Sequence, residues 1–222
     1  MEREPDRRAS PAAGYPVTMA HVAARAGVST STVSRVLTES RPVAEELRRS
    51  VLQAADELGY RVNLLGRALR KGRTSTLGLL VPGLENPFFS SLAQHLSRTF
   101  EGSGIDVLVF SADEDLATER RGVQSFLGRQ VEALVMIPCH EIDSARNVAL
   151  AAESTLTIQL DRRVEGSGVC FVGCDNREGM RLIAEHVKSV VDESRQPVVY
   201  VGASSGPSSG HERLEGFREH FG

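Results

Sequence analysis

Residues 17–37 read VTMAHVAARAGVSTSTVSRVL, and this stretch decides the architecture of the first part of the chain. Apolar residues recur at helical spacing on both sides of AGVS, and no segment alternates as a strand would. Thr18 can cap a first helix, Gly27 ends it, and Ser29 can cap a second. The stretch therefore predicts two short helices joined by a tight turn, a helix-turn-helix that sets its second helix in the DNA major groove.

The second predicted helix carries small hydroxyl groups and one arginine on the side away from its apolar face. Thr30 and Ser31 are short enough to let the backbone approach the bases, and Arg35 can reach phosphate or a guanine edge. Any one of these could equally be a solvated surface position. The complete unit favours DNA contact.

A third helix is predicted to close the small core of this head. It spans about residues 45–58, and Ala44 stands where a Ser or Thr cap is expected, which costs about 1 kcal/mol of local stability. Its predicted core residues are Leu47, Val51, Ala54 and Leu58.

Charge is distributed unevenly along the chain. Residues 17–73 carry ten basic and five acidic side chains, whereas residues 74–222 carry 13 basic and 21 acidic ones, and the net charge is −3. A basic front suits attraction to phosphate, although exposed helices are often basic without binding DNA. Neither a run of about 18 apolar residues nor a secretory signal is visible, so we expect a cytoplasmic protein without membrane contact.

The three cysteines, Cys139, Cys170 and Cys174, lie in apolar runs. Their odd number and surroundings predict reduced, buried thiols rather than a disulfide framework. Even with His140 beside Cys139, their spacing matches no usual ligand pattern, so we predict neither a metal nor a cofactor.

From Thr76 onward, apolar runs are separated mostly by amphipathic helical stretches, which is typical of βαβ units on a parallel sheet covered on both faces. The predicted fold class is an all-α head followed by an α/β parallel-sheet domain. The predicted strands lie at residues 77–81, 105–110, 132–137, 155–160 and 168–172.

The segment PGLENPFF follows the first predicted strand. Asn86 can cap a helix there and Pro87 can take its first position. Because open α/β sheets bind ligands at the carboxyl ends of their strands, Asn86, Phe88 and Phe89 are candidate walls of an effector site. Core packing is the alternative for one phenylalanine, and we favour it for Phe89.

Taken together, residues 17–37 and the segment ELGYRVNLLGRAL at 57–69 resemble the DNA-binding head of the LacI/GalR family of transcription regulators. The resemblance implies that the start of the second helix reads bases, and that neighbouring hydroxyls contact phosphates. The implied base-reading residues are Thr30, Ser31 and Arg35, and the implied phosphate contacts are Thr18, Thr32 and Ser34.

Residues 63–73 correspond to the hinge of that family, which folds on DNA in pairs and pushes a leucine into the minor groove. Asn63 can cap this hinge, Arg67 contributes positive charge, and Leu69 occupies the position of the wedge. An ordinary amphipathic linker is the alternative. Gly66 replaces an alanine inside the hinge and predicts a softer helix.

The resemblance also implies effector contacts in the α/β domain. An Asp after the fourth strand and an Arg before a Gly-Phe pair correspond to Asp161 and Arg213. Such a pair across a cleft can hold either a sugar hydroxyl or an anionic metabolite, and the sequence leaves both open. From the residues alone, further candidates are Arg162, the pair Asp175 and Asn176, and either Ser208 or Ser209; for Asp175 we favour helix capping as the alternative.

The resemblance implies a periplasmic-binding-protein-like body of two lobes, of which the second is incomplete here. A single β–α start cannot bury both faces of a sheet, so we expect weak dimerisation and little or no effector response. The predicted regions are a disordered tail at 1–16, the head at 17–62, the hinge at 63–73, a first lobe at 74–174, and a partial second lobe at 175–222 with a strand at 196–201.

One motif suggests catalysis, since residues 202–206 match GxSxG after a predicted strand. A nucleophile elbow runs directly into a helix, but residues 207–210 intervene here, and no Asp follows. We therefore predict no enzyme. The predicted function is a regulator, a repressor, that binds a palindromic DNA operator as a homodimer and responds to a small effector such as a sugar; a non-responsive fragment and a stand-alone sugar-binding protein are the alternatives.

Overall fold

The computed structural model describes residues 17–38, 41–61, 72–191, 196–202 and 206–222. The predicted tail and most of the predicted hinge lie outside these ranges, and so do the candidate DNA contacts Asn63, Arg67 and Leu69. The chain divides into two compact units, residues 1–67 and 68–222.

The first unit contains the predicted helix-turn-helix and its third helix. Three valines, one from each helix, are fully buried against one another: Val22, Val33 and Val51. Gly27 ends the first helix with a φ of 69°, a left-handed conformation that glycine adopts at little cost. The three helices are α1 (Met19–Ala26), α2 (Thr30–Thr38) and α3 (Glu45–Glu57).

The third helix differs from its prediction in one core residue. Leu47 is exposed, because it lies in the first turn of α3 where no described residue of the head covers it, and Ala55 is buried further along the helix. Val51 and Ala54 are buried as predicted. Ala44 stands at the N-cap without a side-chain hydrogen bond, which confirms the weak cap.

The second unit is built on the parallel sheet that the apolar runs predicted. Its order is β2-β1-β3-β4-β5, and every neighbouring pair is parallel. The strands are β1 (Thr76–Val81), β2 (Asp106–Ser111), β3 (Ala133–Met136), β4 (Leu156–Leu160) and β5 (Cys170–Val172), and the helices between them are α4 (Pro87–Phe100), α5 (Leu116–Gly128) and α6 (Ala145–Ser154).

Helices cover both faces of the central strands. On one face, Leu80 and Leu134 pack with Phe126 of α5 and Val148 of α6. The other face of β1 and β3 packs with Phe89 and other residues of α4. These two cores hold the carboxyl ends of the strands in fixed positions along one edge of the sheet.

Two further helices follow β5 and pack on each other, α7 (Asn176–Val190) and α8 (Ser208–Phe221). The predicted strand at 196–201 is wrong, because the described residues 196–202 form no strand. Val199 and Val201 are 74% and 92% exposed. A strand requires a hydrogen-bonded neighbour, and the described part of the chain supplies none to this segment.

The burial predicted for the cysteines holds for one of the three. Cys139 is buried, but Cys170 and Cys174 are exposed because they lie in and just after β5, the last strand of the sheet. None of the described helices is long and apolar enough to cross a membrane.

Candidate functional site

The face of α2 that points away from the head core carries the predicted base-reading residues. Thr30, Ser31 and Arg35 are exposed, while Thr32 and Ser34 are half-buried. Val33 and Val36 on the opposite side of the helix are buried in the core. The core therefore fixes the rotation of α2 and presents one arginine with two short hydroxyl side chains to solvent.

A hydroxyl cluster organises the start of α2. Ser29 caps the helix as predicted, since the backbone N–H of Thr32 donates to its Oγ at 3.2 Å. The Ser29 Oγ also lies 2.7 Å from the Oγ of Ser31 and 2.9 Å from the Oγ1 of Thr32. These contacts orient the hydroxyls at a helix N-terminus, where free backbone N–H groups attract phosphate.

Thr18 lies at the N-cap of α1 with an extended backbone, and its N–H donates to the Nδ1 of His21 at 3.3 Å. Its side chain is exposed, which leaves the hydroxyl accessible for the predicted phosphate contact. An ion pair between Arg25 and Glu57 joins α1 to α3.

The second group of candidates lies at the carboxyl edge of the sheet. Asn86 caps α4 through a hydrogen bond from the backbone N–H of Phe88 to its Oδ1 at 3.0 Å, with Pro87 in the first turn. Phe89 is only 3% exposed and belongs to the core, as favoured from the sequence, whereas Phe88 is 51% exposed. Phe88 is thus the phenylalanine that remains open to a ligand.

Arg162 links the end of β4 to the loop after β2. Its Nη1 and Nη2 donate to both carboxylate oxygens of Glu114 at 3.1 and 3.2 Å, and its guanidinium carbon lies 5.2 Å from the centre of the Phe89 ring. In the described part of the chain, its Nε is the buried side-chain polar atom that lacks a partner. Sequence reasoning missed Glu114, which lies 48 residues from Arg162 in the chain.

Asp161 sits in a tight turn after β4, with a positive φ of 61°. Its backbone N–H donates to the carbonyl of Val172 at 2.9 Å. Burial raises the pKa of the Asp161 carboxyl above its usual value, nearby Arg162 and Arg213 oppose this effect, and Glu212 adds to it. The fold thus brings Asp161 into electrostatic range of Arg213, as the resemblance implied.

Arg213 on α8 belongs to a polar network with the start of α7. Its Nε donates to the Oδ1 of Asn176 at 2.8 Å, and the Nδ2 of Asn176 donates to Glu212 at 2.7 Å. Arg163 completes the network through an ion pair with Glu212 at 3.0 Å. The sequence named Asn176 as a candidate but not Glu212 or Arg163, which adjoin the predicted residues Arg213 and Arg162.

Of the two candidate serines, Ser208 joins this network. Ser208 accepts a hydrogen bond from the backbone N–H of Arg163 at 2.9 Å, while Ser209 is buried in the first turn of α8. Ser208 therefore ties α8 to the turn after β4.

A cavity of about 380 Å³ opens beside this network. Of the candidates from the sequence, Asp175 and Asn176 line this cavity, whereas Asp161, Arg162 and Arg213 do not. Two lining residues connect the cavity to the predicted pair. Asn176 accepts a hydrogen bond from Arg213, and Glu212 acts electrostatically on Asp161. Its lining consists of Arg163, Phe171, Gly173, Cys174, Asp175, Asn176, Arg177 and Glu212.

A buried carboxylate fixes the loop after β3 at the same edge. Glu119 of α5 accepts hydrogen bonds from the Cys139 backbone N–H at 2.7 Å, the Ser144 Oγ at 3.0 Å and the Asn147 Nδ2 at 2.7 Å. Burial raises the pKa of the Cys139 thiol far above its usual value, so this cysteine stays protonated. Within this loop, the backbone N–H of Glu141 donates a hydrogen bond to the carbonyl of Gly206 at 2.9 Å.

Comparison with known proteins gives matches to both units. The ribose operon repressor of Halalkalibacterium halodurans is 31% identical over 206 residues, covering 91% of this chain and 59% of that protein. The transcriptional regulator AscG of Escherichia coli (strain K12) is 32% identical over 206 residues, covering 91% of this chain and 60% of that protein. The chain thus spans about 60% of the length of these relatives.

Among solved structures, the lac repressor dimer bound to operator and the anti-inducer ONPF matches with a TM-score of 0.80 at 22% identity, over 93% of this chain and 62% of that one. At this identity the match supports the fold alone. Residues 18–63 match the family model described as bacterial regulatory proteins of the lacI family. Residues 74–221 match the model described as periplasmic binding proteins and sugar binding domain of the LacI family, so the chain belongs to the LacI family.

Proposed function

We propose that this chain is a transcription regulator, a repressor, that binds a palindromic double-stranded DNA operator as a homodimer and takes a small effector such as a sugar into its α/β body. No catalytic step is part of this proposal, and because its target is DNA, its proposed location is the cytoplasm. The chain's place in a family of regulatory proteins supports this reading.

The DNA-binding proposal rests on one observation, the division of α2 into a buried side and an exposed polar side. The buried residues Val33 and Val36 fix one side of the helix, and Arg35 stands exposed on the other beside the hydroxyl cluster at Ser29. A rigid helix of this kind can enter the major groove with its hydroxyls oriented before contact. Arginine is the side chain that most often reads guanine there.

The effector proposal rests on the carboxyl edge of the sheet. Asp161, Arg213 and their partners Asn176 and Glu212 come from three separate parts of the chain and meet beside the cavity. Convergence of charged and polar groups at this edge is the usual arrangement of a ligand site in an open α/β fold.

Selection of bound sequences from a random duplex library tests the proposal, with the affinity of the winners measured against salt concentration. We expect a palindrome with a central pyrimidine-purine step. We also expect the affinity to fall steeply as salt concentration rises, because binding releases counterions from the DNA phosphates. Isolated half-sites would refute the homodimer, and the absence of any enriched sequence would refute the regulator.

Arg35→Ala sharpens this test. We expect a loss of roughly 1–3 kcal/mol in binding to the selected site, together with relaxed preference at one base position. Arg218→Ala on α8 is the matched control, because it removes the same charge from a side chain that pairs with Glu215 in the other unit. Equal losses for both variants would mean that only net charge matters.

A further inference from the structure

We propose that the loop between β3 and α6, residues 137–144, clasps the start of α8, and that α7 and α8 open away from the sheet as one unit when this clasp is released. Gly206 is the residue that allows the clasp to close. The proposal concerns a movement built into the fold, so it goes beyond the proposed function and does not depend on it.

The last two helices have little direct packing against the sheet. α7 and α8 pack closely on each other, and neither packs as closely on any strand or other helix of the described chain. At the start of α8, however, Ser208 and Ser209 are buried. Elements with few contacts to the core of a domain open at a lower free energy than the core does. The contacts at the start of α8 therefore hold the pair of helices in place.

The clasping loop is rigid, because a buried carboxylate and an anchored histidine ring hold it. Glu119 accepts hydrogen bonds from the Cys139 backbone N–H and from the Ser144 Oγ, near the two ends of the loop. The backbone N–H of His140 donates to the Ser144 Oγ at 3.0 Å. The Nδ1 of His140 accepts from two backbone N–H groups of the same loop, both at 3.2 Å. The His140 ring therefore has little freedom to move aside.

Gly206 meets this loop at two points. Its carbonyl accepts the hydrogen bond from the backbone N–H of Glu141 at 2.9 Å, and a Cβ at this position would lie 2.8 Å from the Cδ2 of His140. Carbon atoms pack at about 3.5–4.0 Å, so any larger residue here must push the loop and α8 apart. The backbone of Gly206 is not left-handed, so close approach and not φ explains the glycine.

The first turn of α8 adds polar contacts beside the clasp. The Oγ of Ser208 accepts from the backbone N–H of Arg163 at 2.9 Å, and Glu212 pairs with the Arg163 side chain at 3.0 Å. The Nδ1 of His211 lies 3.7 Å from the Oε1 of Glu141. Because these contacts all lie within about one turn of one helix, we expect them to form and break together.

Release of the clasp changes which charged groups face one another at the carboxyl edge of the sheet. Arg213 and Asn176 lie on the unit that moves, whereas Asp161 follows β4 and stays with the sheet. When the unit opens, Arg213 keeps its hydrogen bond to Asn176 and moves away from Asp161. The clasp thus sets the separation of Asp161 and Arg213.

Hydrogen exchange of the backbone amides, measured by mass spectrometry on the full chain, tests the proposal with Gly206→Ala. We expect peptides from α7 and α8 to exchange about ten-fold faster or more, both by the same factor, and peptides from β1 and β3 to keep their rates. The control is Gly179→Ala in α7, where an added Cβ meets nothing within 4 Å, and which should accelerate neither helix. Unchanged exchange in Gly206→Ala, acceleration of one helix alone, or equal acceleration in β1 would overturn the proposal.

A double variant identifies the contact that opens the clasp. His140→Ala removes the ring that a Cβ at position 206 would meet. In that background we expect Gly206→Ala to accelerate exchange of α7 and α8 by less than about two-fold, because the two changes act on one contact. The same large acceleration with and without the His140 ring would refute the clasp.

Ser208→Ala keeps the test open if Gly206→Ala does not fold. It removes the acceptor of the Arg163 N–H, so we expect α7 and α8 to exchange about three-fold faster. The matched control is Ser189→Ala, whose Oγ donates to the carbonyl of His186 within α7. Equal exchange in the two serine variants would show that the start of α8 does not hold the unit, and the proposal would fail.

Discussion

Aliphatic side chains are buried in one part of the α/β body and exposed in another. Leu79 and Leu80 in β1 are fully buried, whereas Val199 and Val201 in the segment before α8 are mostly exposed. The strand β1 lies between β2 and β3 with α4 and α5 on its faces, and the later segment has no such neighbours among the described residues. Burial here depends on the neighbours that the topology supplies rather than on local sequence.

The two parts are also held together by different forces. Residues 76–172 depend on two apolar cores and on a buried polar network around Glu119. Residues 176–222 depend on the packing of α7 against α8, a stack of Tyr200 and Phe217 with ring centres 5.3 Å apart, and exposed ion pairs. Exposed ion pairs stabilise little, so we expect mutations to cost far more in the first part.

The largest expected contrast comes from two phenylalanine truncations. Phe126 is buried in the core and packs on the backbone of Gly78, so Phe126→Ala should cost about 3–5 kcal/mol in the free energy of unfolding. Phe217 is half-buried, and Phe217→Ala should cost about 1 kcal/mol. Urea unfolding of both variants measures the difference, and equal costs would break the comparison.

The next contrast is between a buried carboxylate, Glu119, and an exposed one, Glu185. Glu119→Ala leaves three buried donors, from Cys139, Ser144 and Asn147, without their acceptor, so we expect a loss of about 3 kcal/mol. The control is Glu185→Ala, which removes an exposed ion pair with Arg181 and should leave the unfolding midpoint unchanged. A small effect at Glu119 would show that water replaces the carboxylate in solution.

The same distinction explains which predictions from sequence succeeded. The caps at Asn86 and Asp175 and the five parallel strands depend on short-range patterns, and the structure confirms them. The strand at 196–201 failed because a run of β-branched residues carries no information about its partner. At the cleft, Asp161 is near Arg213 as predicted, but the partner of Arg162 could not be found from the sequence, because Glu114 lies 48 residues away in the chain.

Asp161 lies where the two parts meet, and its substitution has a smaller, pH-dependent effect. Burial raises the pKa of its carboxyl, so the stability it contributes is present below the usual Asp value near 3.9 and is lost as pH rises through the higher folded value. Asp161→Asn stays neutral, so it should be more stable than the wild type by on the order of 1 kcal/mol at pH 7. The gain should vanish near pH 3.

Asp113→Asn is the control for this change, because Asp113 also has a positive φ, of 52°, but is exposed. Thermal unfolding at both pH values measures the two variants. A gain shared equally by both would point to the preference of asparagine for left-handed backbone and not to burial.

The smallest expected effect is at Val201, the most exposed large apolar residue of the described chain at 92%. Val201→Lys should leave the unfolding midpoint unchanged, since the side chain loses no buried contact, and should reduce association at high concentration, since it removes an exposed apolar side chain. Val135→Lys in the buried β3 strand is the opposite case and should prevent folding. If Val201→Lys is also destabilising, a partner covers residues 196–202 in solution. Val201 would then be buried as Val135 is, and the contrast between the two valines would not hold.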